Sequence, residues 1–401
     1  MSAPANHGLA EELAPHYSRF RVAERLLLTG HSHQAWPDVA REGQIEAWDD
    51  AARDVDDKWE CATRMAERVR RGYAHLLGDE RGAIALGVNT HELVIRLLSA
   101  LPLRERPRLV STDGEFHTLR RQLDRLAEER PLEVVRIAAH PATTLAERLA
   151  AQVDARTAAV MVSSVLFESA HLVPGLSATL AACRSAGAEL LVDAYHQLNV
   201  VPCALEGEGL ADAFVVGGGY KYCQLGEGNA FLRVPPGRDH YRPAITGWFS
   251  EFDGLTERHA GSVAYGAGAS RWAGATYDPT SHYRAARVFD FFEARGLTPE
   301  RLREVSQHQV GLLAAAFDRL DLDTRVITRD RETPLAGVGG FLALRSASAA
   351  EIQARLAKRG VRTDHRGEVL RLGPAPYVSD DQLRAAVGHL GEVVRELRRA
   401  W

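Results

Sequence analysis

An acid and a lysine each follow an apolar segment that predicts a buried strand. The first segment, Leu190 to Val192, ends on Asp193, and His196 stands three residues later. The second, Ala213 to Val216, runs through three glycines and a tyrosine into Lys221. Short apolar runs of this kind are typical of strands covered on both faces. Because open α/β sheets bind ligands at the carboxyl ends of their strands, we expect Asp193 and Lys221 to face one crevice.

Pyridoxal 5'-phosphate (PLP) is a cofactor that needs both groups. It forms a Schiff base with a lysine, and a carboxylate keeps its pyridine nitrogen protonated, which makes the ring a strong electron sink. The glycine run would let the backbone approach a ligand closely, and Tyr220 can offer a hydroxyl to a phosphate. Each residue alone has a simpler interpretation, since Asp is a common turn former, Lys a common loop residue and a lone His a common core residue. Together they predict a PLP-dependent enzyme.

The segments DAYH and GGGYKY resemble the cofactor site of the kynureninases, in the class V aminotransferase group of fold type I PLP-dependent enzymes. The resemblance implies that Asp193 pairs with the pyridine nitrogen and that His196 lies beside the ring. It also implies that Tyr220 binds the phosphate and that Lys221 carries the Schiff base. The implied fold is α/β, with a mostly parallel sheet flanked by helices in a large domain and a smaller α+β carboxyl-terminal domain.

Other segments match the same family around the cofactor. A predicted strand turns through Asn89 and Thr90 into an amphipathic helix, whose free backbone N–H groups and dipole suit a phosphate. Capping of that helix is the simpler role of these two residues, and it uses the same geometry. The resemblance adds Phe116 as a ring that stacks on the cofactor, and Trp248 and Thr276 as phosphate contacts. Thr276 typically reaches across from a second subunit, which implies a homodimer with a shared active site.

The residues that would select the substrate match the family less well. Arg371, in the segment EVLRLGPAPY, is predicted to bind the substrate α-carboxylate, because arginine binds carboxylates through two parallel hydrogen bonds. A surface arginine is the simpler alternative. The early turn HSHQ replaces the family's Asn-Ser-Leu-Gly, and we predict that His33 contacts substrate unless this is merely a polar turn. Leu119 stands where an Asp is usual, and the pair Tyr277 and Asp278 fits poorly.

Composition excludes several other classes of function. The chain has 401 residues, 45% of them hydrophobic, which is enough for a sizeable core and two domains. A formal net charge of -4 without a basic tract argues against nucleic acid or a membrane surface as partner. Four scattered cysteines and two histidines in HSHQ without a third ligand predict neither a disulfide framework nor a metal site. With no leader-like or membrane-spanning segment, we expect a cytoplasmic protein.

Three parts are predicted along the chain. Residues 1–40 form an amino-terminal arm that borders the active site, and residues 41–285 form the large PLP-binding domain. Residues 286–401 form a linking helix and the small carboxyl-terminal domain. Alternating strand and helix patterns in the large domain favour a parallel sheet, and the pair Thr298-Pro299 is typical of a helix start.

The resemblance implies an enzyme acting at the β-carbon of an L-amino acid. The main prediction is kynureninase-like hydrolysis of a kynurenine-type substrate to alanine and an anthranilate. The alternatives are a PLP-dependent C–S lyase, an aminotransferase or a decarboxylating deaminase of the class V group in specialised metabolism. A non-catalytic binding protein on the same fold is disfavoured, because Lys221 is intact.

Overall fold

The structure, a computed structural model, describes residues 8–79, 81–256 and 261–399. Within these ranges, no helix is both long and apolar enough to cross a bilayer. Helices α1 to α11 span, in order, Leu9–Leu13, Asp38–Asp54, Lys58–Leu76, Thr90–Ala100, His117–Glu129, Leu145–Ala150, Leu176–Ala186, Thr280–Ala294, Pro299–Arg319, Ala349–Lys358 and Asp380–Arg399. Strands β1 to β13 span, in order, Leu26–Leu27, Ala83–Gly87, Arg108–Thr112, Glu133–Ile137, Thr157–Ser163, Glu189–Asp193, Phe214–Gly218, Ala230–Val234, Thr328–Arg329, Leu342–Arg345, Val361–Arg362, Asp364–Arg366 and Val369–Leu372.

A seven-stranded sheet in the order β2-β8-β7-β6-β5-β3-β4 forms the centre of the molecule. The neighbours from β7 through β4 run parallel, and β8 is antiparallel to both β7 and β2. Along β5, Val160 and Val162 belong to one hydrophobic cluster, whereas Ala159 and Met161 belong to another. This alternation places an apolar layer on each face of the sheet, as strands covered by helices on both sides require.

The strand and helix alternation predicted for the large domain is confirmed. The strand predicted over Leu190 to Val192 spans Glu189–Asp193, and the one predicted over Ala213 to Val216 spans Phe214–Gly218. The segment TRVIT before β9 is mostly a turn, and only its last residue, Thr328, belongs to a strand. Asp323 accepts the backbone N–H groups that follow it and forms a turn there, as aspartate often does.

A four-stranded antiparallel sheet in the order β12-β13-β10-β9 lies in the carboxyl-terminal part. The amino-terminal arm joins this part, because β1 pairs in parallel with β11. The two segments pass very closely, since a Cβ on Gly30 would lie 2.2 Å from the carbonyl oxygen of Pro374. The arm is therefore fixed to the carboxyl-terminal part, while the two boundaries between the three predicted parts stay predictions.

A buried ion pair supports the antiparallel strand of the central sheet. Arg233 on β8 is 0% exposed, and its Nε donates to Oδ2 of Asp79 at 2.6 Å. Its Nη1 donates to the backbone carbonyls of Ala211 and Ala213 at 2.7 and 2.9 Å. The guanidinium thus connects the segment that follows α3 with the segment that precedes β7, and its charge is balanced by one carboxylate.

We expect Asp79→Ala to lower the free energy of unfolding by about 3–5 kcal/mol, because it leaves the buried charge of Arg233 unpaired. Urea denaturation of the purified chain measures this loss. Asp212→Ala is the matched control, since its partner Arg184 is largely exposed, and that change should alter stability by less than about 1 kcal/mol. Similar small losses in both variants would contradict the role of the buried pair.

Candidate active site

A cavity of about 1250 Å³ opens at the carboxyl ends of the central strands. It is bordered by the last residues of β5 and β6, by the loop after β7 and by the amino termini of α4 and α5. Asp193 and Lys221 both line it, so the predicted shared crevice is confirmed. The other predicted site residues that line the cavity are Asn89, Thr90, Phe116, His196 and Tyr220.

Lys221 is a buried amine in this cavity. It is 7% exposed, and its Nζ lies 2.8 Å from Nε2 of His196. Burial lowers the pKa of Lys221 to about 7. The charge of Asp193 opposes this shift, whereas the charges of Arg371 and Arg366 add to it. Near neutral pH much of Lys221 is therefore the neutral amine, which is the form that attacks carbonyl carbons.

In the described part of the chain, two polar groups beside Lys221 each have one atom without a hydrogen-bond partner. Asp193 ends β6, and its Oδ1 accepts the backbone N–H of Tyr195 at 2.8 Å. Burial raises the pKa of Asp193, while that N–H group and the charge of Lys221 oppose the shift. Burial, and then Lys221, hold the pKa of His196 well below its usual range, and the His196 Nδ1 has no hydrogen-bond partner among the described residues. A cationic ligand near Asp193 would favour the ionised carboxylate.

The amino terminus of α4 supplies a site for an anion. The Asn89 side chain caps this helix by accepting the backbone N–H of Glu92 at 2.9 Å, and Thr90 is the first helical residue. The first N–H groups of a helix have no partners within it and attract anions. Tyr220 also borders the cavity, with its ring stacked 4.8 Å from that of His33. The amino terminus of α4 and the hydroxyl of Tyr220 are suited to bind a phosphate group.

The glycine run before Tyr220 has a packing role that was not predicted. A Cβ on Gly218 would lie 2.5 Å from the hydroxyl oxygen of Tyr195, and one on Gly219 would lie 2.6 Å from Leu225. They make room for side chains of the protein itself, and the prediction that they let the backbone approach a ligand stays a prediction.

Several solved structures are similar to the chain over nearly its whole length. A C-DES variant with glycine covalently linked to its PLP cofactor gives a TM-score of 0.82 at 14% identity, covering 95% of this chain and 99% of that one. A cysteine desulfurase from Thermococcus onnurineus NA1 gives 0.80 at 16% identity, covering 96% and 98%. The cystine C–S lyase C-DES with its reaction product cysteine persulfide gives 0.80 at 14% identity, covering 92% and 98%. No protein-family model matches the sequence, and no curated protein matches it significantly.

These superpositions decide the fold. The chain has the fold of the fold type I PLP enzymes. The predicted fold class is thereby confirmed. At identities of 14% and 16%, the similarity shows the fold type I architecture but not the roles of individual residues. Those roles are argued from the geometry of this chain.

Trp248 and Thr276 lie together outside the fold type I cavity. The Trp248 Nε1 donates to Oγ1 of Thr276 at 3.3 Å, and neither residue borders the cavity of its own chain. Trp248 is 44% exposed. To contact the phosphate as predicted, Trp248 and Thr276 would have to reach the cavity of a second subunit. This contact stays a prediction.

Arg371 lies behind the wall of the cavity. Its Nε and Nη2 donate to the two carboxylate oxygens of Asp364 at 2.8 and 2.6 Å. Its Nη1 donates to the backbone carbonyl of Phe167, a residue that borders the cavity, at 2.6 Å. In this structure the guanidinium is thus engaged by an acid of the same chain, and its predicted role as the substrate carboxylate receptor stays a prediction.

Glu115 is a buried acid beside the site that the sequence did not reveal. Its Oε1 accepts the Thr112 hydroxyl at 2.7 Å, and its Oε2 accepts the Ser163 hydroxyl at 2.6 Å. Burial raises the pKa of Glu115 to about 7 against the effect of these hydroxyls, and the charge of Asp193 raises it further. Its position next to Phe116 in a strand-to-helix turn was the available signal, but such a turn does not tell which way a side chain points.

A serine at the end of β5 also borders the cavity. Ser163 lines it, whereas Ser164 and Ser169 do not. The Ser164 hydroxyl donates instead to the backbone carbonyl of Asp193 at 3.3 Å. Successive residues of a strand point to opposite faces, so a shift of one position moves a side chain to the other side.

We expect Lys221 to be acylated by acetic anhydride with a pH midpoint near 7, because its pKa is lowered to about 7 and only the neutral amine is nucleophilic. The rate should rise through this midpoint and level off at higher pH. Mass spectrometry of proteolytic peptides resolves the site, since Lys58 and Lys358 are the only other lysines in the sequence and serve as references. A midpoint for Lys221 at about the ordinary lysine value of 10.4 would contradict the prediction.

Proposed function

We propose that the chain is a PLP-dependent enzyme that breaks a bond at the β-carbon of an L-amino acid, with C–S elimination as the favoured reaction. One observation carries the proposal: a buried, readily deprotonated Lys221 lies against His196 in the same cavity as Asp193. The similar structures support the sulfur chemistry, because their names are cysteine desulfurase and cystine C–S lyase. They support the predicted alternative better than the main prediction of a kynureninase.

The residues of the cavity fit PLP. The half-buried Asp193, whose ionised form a cation would favour, suits the pyridine nitrogen. The His196 Nδ1, which has no hydrogen-bond partner among the described residues, offers a further polar contact. The start of α4 at Asn89 and Thr90 suits the phosphate. The hydroxyl of Tyr220 and the ring of Phe116, proposed for the phosphate and for stacking on the ring, border the same cavity.

Lys221 is placed to move the proton that starts the reaction. Bound PLP would supply an electron sink for the charge that develops at the substrate Cα. The Lys221 amine, neutral near pH 7, can accept the Cα proton as a general base. His196 fixes the position of that amine through a 2.8 Å hydrogen bond. The rings of Tyr195 and Phe116, centred 4.5 and 5.6 Å from Nζ, keep bulk water from the amine.

The cysteines favour elimination over transfer of sulfur to the enzyme. All four cysteines are described and free, and none borders the cavity. Burial raises the pKa of Cys183 and Cys223 to about 12 and that of Cys203 further still. Cys61 is half-buried, and its pKa is also raised. Because thiolates and not thiols act as nucleophiles, these residues are poor sulfur acceptors, whereas elimination that releases a free thiol needs none.

We expect Lys221→Ala to abolish covalent attachment of PLP. The wild-type chain incubated with PLP should show a visible absorption band, and borohydride should fix one adduct on the peptide that contains Lys221. Lys358→Ala is the matched control, since Lys358 lies far along the chain on α10 and does not border the cavity. An adduct of wild-type yield in Lys221→Ala would refute the assignment of this lysine.

The PLP-loaded chain should convert L-cystine or an S-substituted L-cysteine to pyruvate, ammonia and a thiol or persulfide. In this reaction a proton leaves Cα and the sulfur leaves Cβ with its bonding electrons, so no oxidant is needed. L-kynurenine and its 3-hydroxy form, assayed in parallel, should give little alanine or anthranilate. Rapid release of both from kynurenine, without pyruvate from the sulfur substrates, would restore the main prediction of a kynureninase.

A further inference from the structure

The chain turns sharply just after Lys221. The backbone N–H of Gln224 donates to the carbonyl of Lys221 at 3.2 Å, and that of Leu225 donates to the carbonyl of Gly219 at 2.9 Å. Gln224 has a left-handed backbone conformation, with a φ of 59°, which is unfavourable for a residue with a Cβ. Because a glycine would adopt this conformation freely, the contacts of the glutamine side chain must offset the strain.

Two residues of the amino-terminal arm hold the Gln224 side chain. Its Oε1 accepts the hydroxyl of Tyr17 at 2.5 Å, and its Nε2 donates to Oε1 of Gln34 at 2.8 Å. All three side chains are buried. Burial raises the pKa of the Tyr17 phenol, so its hydroxyl stays protonated and donates. Breaking buried hydrogen bonds of this kind is costly, because the remaining partner has no water to replace the lost one.

The same arm reaches this turn at two further places. The ring of His33 stacks on that of Tyr220, with 4.8 Å between the ring centres. The ring of Trp36 lies 4.7 Å from the guanidinium of Arg284, and the Nε of that arginine donates to the carbonyl of Leu225 at 2.7 Å. The arm thus acts on the turn both before and after the lysine.

The position of the turn decides where the Lys221 amine lies. Its Nζ is buried and lies 2.8 Å from Nε2 of His196, and a shift of the turn would lengthen this contact and admit water. Since burial is the main cause that lowers the pKa of Lys221, added water would raise that pKa toward the ordinary lysine value. The other titratable or charged side chains around this amine are Asp193, Arg371, Arg366, Asp364, Tyr195 and Tyr220.

We propose that Gln224 is a positioning residue through which the amino-terminal arm fixes the Lys221 amine for its reaction with the cofactor aldehyde. The proposal rests on the proposed function, because it concerns the lysine of the same site. A glutamine stands at this left-handed position because its side chain ties the turn to Tyr17 and Gln34. The arm therefore serves the chemistry, although neither Tyr17 nor Gln34 borders the cavity.

The rate at which the visible band appears after PLP is mixed with the full chain measures the reactivity of Lys221, since only the neutral amine attacks the aldehyde. For the wild-type chain this rate should rise with pH through a midpoint near 7. Gln224→Gly keeps the left-handed turn without strain but removes both side-chain hydrogen bonds. Its midpoint should rise by about one pH unit or more, so that the rate at pH 7 falls at least about fivefold.

Tyr17→Phe and Tyr377→Phe form a matched pair of variants. Each removes one buried phenol hydroxyl that holds the arm. The hydroxyl of Tyr17 donates to Gln224, whereas that of Tyr377 accepts the backbone N–H of Ala35 at 2.7 Å. The two rings lie 4.7 Å apart, and both variants should lower the urea midpoint by similar amounts. Only Tyr17→Phe should raise the pH midpoint of band formation.

Three outcomes would overturn the assignment. An unchanged pH midpoint in Gln224→Gly would show that the backbone turn alone positions the lysine. Equal shifts in Tyr17→Phe and Tyr377→Phe would show that any weakening of the arm moves the lysine, without a specific role for Gln224. A wild-type chain that gives no visible PLP band would refute the proposed function and this inference with it, whereas a normal band with the same midpoint in every variant refutes this inference alone.

Discussion

A buried amine is stable in a protein only when it is neutral or when an acid balances its charge, and Lys221 lies between these two conditions. Burial removes water from its Nζ, while the nearby Asp193 favours the charged form. The balance leaves the amine readily deprotonated near neutral pH, which is the state that proton transfer at carbon requires. This balance depends on the strand order, because β6 and β7 must be neighbours for the acid and the lysine to reach the same cavity.

The sequence predicted the parts of the site that follow from strand ends. Asp193 comes directly after an apolar run, and Lys221 follows another one after three glycines and a tyrosine. Because parallel strands end at the same edge of a sheet, their proximity followed without knowledge of long-range contacts. The cap at Asn89 was likewise local, since a helix start is signalled by the residues around it. These predictions needed only the hydrophobic periodicity of the sequence and the positions at which each apolar segment or helix begins and ends.

The remaining parts depend on partners that are distant in sequence or on the direction of a side chain. The side chain of Glu115 points inward and accepts hydrogen bonds from two hydroxyls. The residues next to it in the sequence do not indicate that direction. Arg371 was recognised from its motif, but its engagement by Asp364 depends on the register of a hairpin and on an arm from the other end of the chain. The choice between sulfur chemistry and hydrolysis could not be predicted from the fold, because the fold type I architecture hosts many reactions.

The pairing of the amino-terminal arm with the carboxyl-terminal sheet also has a consequence for biosynthesis. His31 and Asp364 are 333 positions apart, so the arm is made first and its partner among the last. On the ribosome the central sheet with Asp193 and Lys221 can form while the arm has nothing to pair with. The part of the wall in front of Arg371 closes only after nearly the whole chain has been released, and contacts of such long range are slow to form. Half-made chains can therefore present the lysine in a cavity that still lacks its wall.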